Sequence, residues 1–214
     1  MAEKLLIFDM DGTLVDTRYD ITTSINHVRS LKNMPPLTQS KVLEIINHKR
    51  EELAKKLYDT DSYLPADRAV FEEHYRDQCT KNVVPFGGVV ETLTVLKKTG
   101  AKMSVATNAP TEFGERILKA AGIEYFFDFI IGACKVNNPK PDSEMIHLIG
   151  KLYNGGDLNR ELTFIIGDNY TDITAGKNAG IKSVFANWGY GKFHEEAKPH
   201  YQAGNFSEIL KIVA

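Results

Sequence analysis

Short, mostly apolar runs recur along the chain at residues 4–8, 103–106, 127–131, 162–166 and 183–186. Each is too short for a helix and is bounded by turn residues, which predicts buried β-strands. Helical spacing fills the gaps. Val89, Val90, Leu93 and Leu96 predict one apolar face on a helix that Gly100 ends. Ile117, Leu118 and Ala121 predict a second, closed by Gly122, and Ile146, Ile149 and Leu152 a third. Strand and helix alternate over residues 84–190, which argues for a parallel sheet covered on both faces.

Residues 18–82 break the alternation. Ile21, Ile25, Val28 and Leu31 keep helical spacing until Pro35-Pro36 stops them. Val42, Ile45, Ile46, Leu53 and Leu57 suit one long helix or two short ones, and a further helix from Pro65 carries Ala69, Phe71, Tyr75 and Cys79. The expected architecture is an α/β core of Rossmann type, residues 1–16 and 84–214, with an all-helical insertion over 17–83.

Composition narrows the function classes. The 214 residues suit one domain plus a modest insertion. A formal net charge of -2 leaves no basic surplus for nucleic acid. Cys79 and Cys134 show neither disulfide nor metal-ligand spacing. The apolar run at 5–8 is too short for a signal segment, and no stretch has the length of a membrane span. A cytoplasmic location with no membrane partner is the default expectation. The histidines have no motif spacing and receive no catalytic or metal role.

Four places carry candidate chemistry. The first strand ends in Asp9-Met10-Asp11-Gly12-Thr13. Ligands of open α/β sheets collect at the carboxyl ends of strands, where two carboxylates can share one hard cation or one of them can act as nucleophile. A solvated acidic turn fits the same residues. The second strand ends at Thr107-Asn108, suited to phosphate oxygens or to an ordinary turn. Lys140, between Pro139 and Pro141, sits at an expected helix start, where the dipole disfavours it. It either neutralises phosphate or is solvated. Asp168 and Asp172 flank a strand-to-helix corner, where one could bind a metal while the other orients it, or where they serve as a helix N-cap and a first-turn acid.

With these four motifs in this order, the chain resembles the haloacid dehalogenase superfamily of phosphatases over nearly its whole length. The first motif, through Leu14-Val15-Asp16, is the most specific. The helical insertion is similar to that family's small cap. Trp188-Gly189-Tyr190-Gly191 points to the phosphoglycolate phosphatase-like subgroup and reads as a structural turn. Departures from that subgroup's pattern are Ala109, Phe86, Ser143 and Asn47. The resemblance implies Asp9 as nucleophile and metal ligand. It implies Asp11 as general acid and base, with its carbonyl on the metal. Thr107 and Asn108 would hold the phosphoryl group, and Lys140 would bind it and offset charge. Asp168 would be a metal ligand and Asp172 a supporting acid.

The implied cofactor is Mg²⁺ and the implied partner a small phosphorylated metabolite, of phosphoglycolate type or related. Monomer and homodimer are both compatible. Asp11 argues against a dehalogenase. A sugar phosphomutase similar to β-phosphoglucomutase keeps that acid and stays an alternative, as does a non-catalytic relative. His48, Lys49 and Arg50, midway along the insertion, are the candidates for recognising a second anionic group on the substrate.

Overall fold

The computed structural model describes residues 3–47, 50–155, 158–191 and 197–214, with the side chains of 50, 51 and 154 left out. Its strands are β1 (Leu5–Phe8), β2 (Val15–Asp16), β3 (Val84–Pro85), β4 (Lys102–Thr107), β5 (Phe129–Gly132), β6 (Thr163–Gly167), β7 (Lys182–Ala186) and β8 (Tyr201–Ala203). Its α-helices are α1 (Arg18–Leu31), α2 (Gln39–Ile46), α3 (Arg50–Tyr58), α4 (Pro65–Gln78), α5 (Val89–Lys98), α6 (Thr111–Ala120), α7 (Glu144–Asn154), α8 (Tyr170–Ala179) and α9 (Ile209–Ile212). The chain divides into two compact units, Met1–Asp16 with Val84–Ala214, and Thr17–Val83.

The first unit is built on a six-stranded sheet in the order β5-β4-β1-β6-β7-β8. All of its pairings are parallel. Every residue of β1 is buried because both faces of the sheet are covered. Leu5 and Ile7 join Met145, Ile146 and Ile149 of α7 and Ala175 of α8 on one face. On the other, Phe8 stacks on Phe206 at 5.8 Å and meets Phe127 edge-on at 6.0 Å. β2 and β3 pair antiparallel, Val15 with Pro85 and Asp16 with Val84, so the chain leaves this unit and returns to it at adjacent positions. No described helix is long and apolar enough to cross a membrane.

The expected strands form with small shifts at their ends. β2, β3 and β8 went unseen because two or three residues carry no readable period. Four helical faces differ from expectation. On α5 the buried positions are Val89, Thr92, Leu93 and Leu96, which leaves Val90 exposed. Leu152 of α7 and Leu31 of α1 are likewise exposed. On α4, Val70 and Phe71 face the core and Ala69 does not. One residue of offset turns a side chain by about 100° on a helix, enough to carry it out of a narrow stripe.

The second unit is all helical. The stretch expected to hold one long helix or two short ones holds two, α2 and α3. His48 and Lys49 lie outside the described residues, and of Arg50 only the backbone is described. Ile25, Val28, Val42, Ile45, Leu57 and Tyr58 form the unit's core. Arg29 is buried beside them and donates to the carbonyls of Pro35, at 2.9 Å, and Leu57.

Asp20 secures the base of this unit. Its buried carboxylate accepts from Gln78 Nε2 at 2.7 Å, Asn82 Nδ2 at 2.7 Å and Asn82 N at 3.1 Å. It thereby joins the first turn of α1 to the end of α4 and the residues beyond. Asp20→Ala leaves the buried Gln78 amide without this acceptor and removes three charge-assisted bonds. We expect a loss of about 2–4 kcal/mol, read as a lower midpoint in urea denaturation.

Candidate active site

β1 lies between β4 and β6, where the strand order reverses. Its carboxyl end is therefore at a topological switch point, the natural crevice of such a sheet. The chain turns sharply there. The carbonyl of Met10 accepts from Leu14 N at 3.0 Å and Val15 N at 3.2 Å, and Asp9 N donates to Ile166 of β6 at 2.8 Å. Gly12 has φ +86°, and a Cβ on it would lie 2.3 Å from Asp168 Oδ2. Only glycine meets both conditions.

Lys140 reaches the same place from the loop between β5 and α7. Its Nζ donates to Asp9 Oδ1, Asp172 Oδ1 and the carbonyl of Ala106, each at 2.6 Å. The helix expected to start at Lys140 starts at Glu144 instead, with Ser143 as its N-cap. The dipole argument against a lysine there does not apply. The Glu144 carboxylate instead accepts the N–H groups of Asn137 at 3.0 Å and Asn138 at 2.8 Å, which folds the loop. Asn108 Nδ2 donates to the carbonyl of Lys140 at 2.9 Å.

Three carboxylates, Asp9, Asp168 and Asp172, offer oxygens within 4.8 Å of one another. Burial raises Asp168 to about 8, helped by the charges of Asp9 and Asp172 and opposed by the N–H groups of Gly191 and Tyr190. Burial likewise raises Asp172, while Lys140 pulls it down. Burial disfavours the Lys140 ammonium too, yet Asp172 and Asp9 outweigh it and hold its pKa above the ordinary value. One ammonium does not balance three carboxylates. An all-oxygen donor set with a surplus of negative charge fits a hard divalent cation.

Asp172 serves two structures at once. Its Oδ2 accepts the N–H of Asn169 at 3.1 Å as half of a capping box on α8, while Oδ1 takes Lys140. Asp172 thus caps the helix and pairs with Lys140 at the same time. Asp168 Oδ1 accepts from Thr13 Oγ1 at 3.2 Å, and Thr13 Oγ1 accepts the Asp168 N–H at 3.1 Å. Thr107 is buried at the end of β4, and its Oγ1 accepts from Ala109 N at 3.1 Å.

The structure thus brings Asp9, Lys140, Asp168 and Asp172 together, with Thr107 and Asn108 on the neighbouring strand end. The partly exposed Asp11, bridged to Val15, is not one of the clustered carboxylates. Two contributors were not assigned from sequence. Thr13 sits inside the first motif, but its partner, Asp168, is 155 positions away. The turn at 188–191 lends main-chain N–H groups, which no side-chain pattern reveals.

A profile of the haloacid dehalogenase-like hydrolase family matches residues 6–186. The chain is 32% identical over 191 residues to a phosphoglycolate phosphatase of Caulobacter vibrioides, covering 86% of this chain and 79% of that one. It is 30% identical over 203 residues to an N-acetylmuramic acid 6-phosphate phosphatase of Pseudomonas aeruginosa, covering 93% and 87%. A crystal structure from Haemophilus somnus, described as a predicted phosphoglycolate phosphatase, superposes with a TM-score of 0.86 at 27% identity, covering 99% and 98%.

The carboxylate cluster carries a pH signature. Asp168 and Asp172 have folded-state pKa values above the ordinary 3.8. Between that value and about 8 these two carboxyls hold more protons in the folded protein than in the unfolded chain, so their contribution to stability falls as pH rises through this window. In EDTA, Asp168→Asn should flatten that slope. The variant should gain on wild type progressively from pH 4 upward, in urea melts taken at each pH. Parallel curves would mean that the cluster carries no excess charge.

Proposed function

This chain belongs to the haloacid dehalogenase-like hydrolase family and is one of its phosphatases; from that premise we propose that it hydrolyses a small phosphate monoester with Mg²⁺, using Asp9 as nucleophile. The observation that carries the reading is the ion pair of 2.6 Å between Lys140 Nζ and Asp9 Oδ1 inside the acidic cluster. Among the three clustered acids, the Asp9 side chain retains 12% exposure, against 1% for Asp172. With Oδ1 held by Lys140, Oδ2 receives among the described residues a long 3.5 Å contact from Thr13 Oγ1. Oδ2 is accordingly the attacking atom.

In the first step Asp9 Oδ2 bonds to phosphorus and the ester P–O bond breaks. Asp11 gives a proton to the leaving oxygen. In the second step Asp11, now a carboxylate, takes a proton from water as that water attacks the aspartyl-phosphate. Phosphate leaves and Asp9 is restored. The Thr107 hydroxyl oxygen already accepts from Ala109 N, so its hydrogen is available to the phosphoryl group, with Asn108 on the same turn. Asp9, Asp168 and the carbonyl of Asp11 would hold Mg²⁺, with Asp172 behind them, and the bound ion supplies positive charge that offsets the charge of the phosphoryl oxygens. Lys140 screens Asp9 from the incoming dianion in the same sense.

Two relatives named for different phosphate esters support the reaction type and leave the leaving group open. A phosphoglycolate-like metabolite is our reading of the substrate. Its selection is assigned to the helical unit, with His48, Lys49 and Arg50 as the residues that favour an anionic leaving group.

Two measurements follow. Asp9→Asn should still fold, with the far-UV circular dichroism of wild type and a cooperative urea transition. It should lose essentially all turnover of p-nitrophenyl phosphate, and wild-type turnover should stop in EDTA and return with Mg²⁺. Retention of a tenth of wild-type kcat by the variant would remove Asp9 as nucleophile. Separately, Arg50→Ala should lower kcat/KM about ten- to a hundredfold for the best anionic substrate and much less for acetyl phosphate, the loss of one charge-assisted hydrogen bond. Equal small effects on both would assign specificity elsewhere.

A further inference from the structure

The turn after β7 carries Trp188-Gly189-Tyr190-Gly191 and none of the residues given a chemical role above. It nevertheless makes three hydrogen bonds into the site. The main-chain N–H groups of Tyr190 and Gly191 both donate to Asp168 Oδ2, at 3.0 and 2.7 Å. The indole Nε1–H of Trp188 donates to the carbonyl of Thr13 at 3.0 Å. Since the Thr13 hydroxyl is bonded to Asp168, the contacts close a ring: Trp188 to Thr13, Thr13 to Asp168, and Asp168 back to the turn.

The fit is close. A Cβ on Gly189 would lie 2.3 Å from Asp168 Cβ and 2.5 Å from the carbonyl oxygen of Gly12. The indole is itself anchored. It packs on Phe206 at 5.5 Å with an interplanar angle of 62°, and Phe206 stacks on Phe8 of β1. The loop bearing Asp9 and the corner bearing Asp168 are thus fastened to each other through the Trp188 side chain and the turn that carries it.

We propose that Trp188 is a positioning residue for the carboxylate that holds the cation. Its indole N–H fixes the Thr13 loop against the 188–191 turn, and Asp168 then presents its carboxylate in one orientation. The inference rests on the reading of Asp168 as a cation-holding group. A carboxylate with two N–H donors on Oδ2 and a hydroxyl on Oδ1 rotates only by breaking all three bonds. Outer partners of this kind orient a ligand in advance, so less ordering remains when the ion arrives.

The test is Mg²⁺ binding by the metal-stripped full-length protein, followed by calorimetry and by indole emission. Trp188 is the only tryptophan in the sequence, so the emission reports this residue alone. Wild type should bind Mg²⁺ and change its emission on binding. Trp188→Phe keeps a ring against Phe206 but has no N–H. Its Mg²⁺ dissociation constant should rise about tenfold or more. Leu96→Ala removes buried bulk from the last turn of α5, at a side chain given no chemical role above. It should lower thermal stability and leave Mg²⁺ affinity at the wild-type value, separating positioning from general softening. Equal affinity in wild type and Trp188→Phe overturns the proposal and leaves the metal reading standing. A wild type that takes up no Mg²⁺ removes the metal reading, and the proposal with it. If Trp188→Phe does not fold, the wild-type emission decides. A change that tracks the calorimetric binding supports the proposal, and a silent indole during measured binding overturns it.

Discussion

Three carboxylates within 4.8 Å of one another repel, and the Lys140 ammonium is what allows Asp9 and Asp172 to be buried side by side. At such distances like charges in a poorly solvated site oppose folding by several kcal/mol unless they are compensated. Lys140 compensates by donating all three of its ammonium hydrogens, two to carboxylates and one to the carbonyl of Ala106 in β4. A single side chain thus ties together the exit of β1, the end of β4 and the first turn of α8. The compensation is incomplete, and the remaining negative charge is what suits the place to a hard cation.

The rest of the α/β unit serves to bring these groups to one point. A parallel sheet places the carboxyl ends of all its strands on one edge, and the reversal of strand order at β1 opens the crevice there. Local structure is reused for chemistry. Asp172 caps α8 with one oxygen and meets Lys140 with the other. Glu144 opens α7 and also folds the loop that delivers Lys140. Such double use fixes the clustered groups with bonds that the fold needs in any case. Little separate strain is required to hold them.

Much of the fold was legible because its strands are buried on both faces. Such strands are continuous apolar runs, and the helices between them carry a 3.6-residue period. Legibility failed where elements are too short to show a period, as in β2, β3 and β8. It also failed at the margins of apolar stripes, where Val90 and Leu152 turn out to face water. The sequence names the residues at a stripe's edge, but only the packed neighbour decides which of them it covers.

The same division runs through the site. The sequence by itself determined the chemical inventory: acids at the ends of β1 and β6, a threonine at the end of β4, and a lysine flanked by prolines. Such residue types advertise their chemistry wherever they lie. Tertiary structure alone decided how they are joined. Asp9 and Lys140 are 131 positions apart in the chain and 2.6 Å apart in the site. It alone showed that the Asn108 side chain holds the Lys140 loop and that Thr13 links Asp9's loop to Asp168. It alone brought the N–H groups of Tyr190 and Gly191 to Asp168. A hydroxyl or a main-chain N–H is present almost everywhere along a chain, and it acquires a role only when folding brings a charged partner within hydrogen-bonding distance.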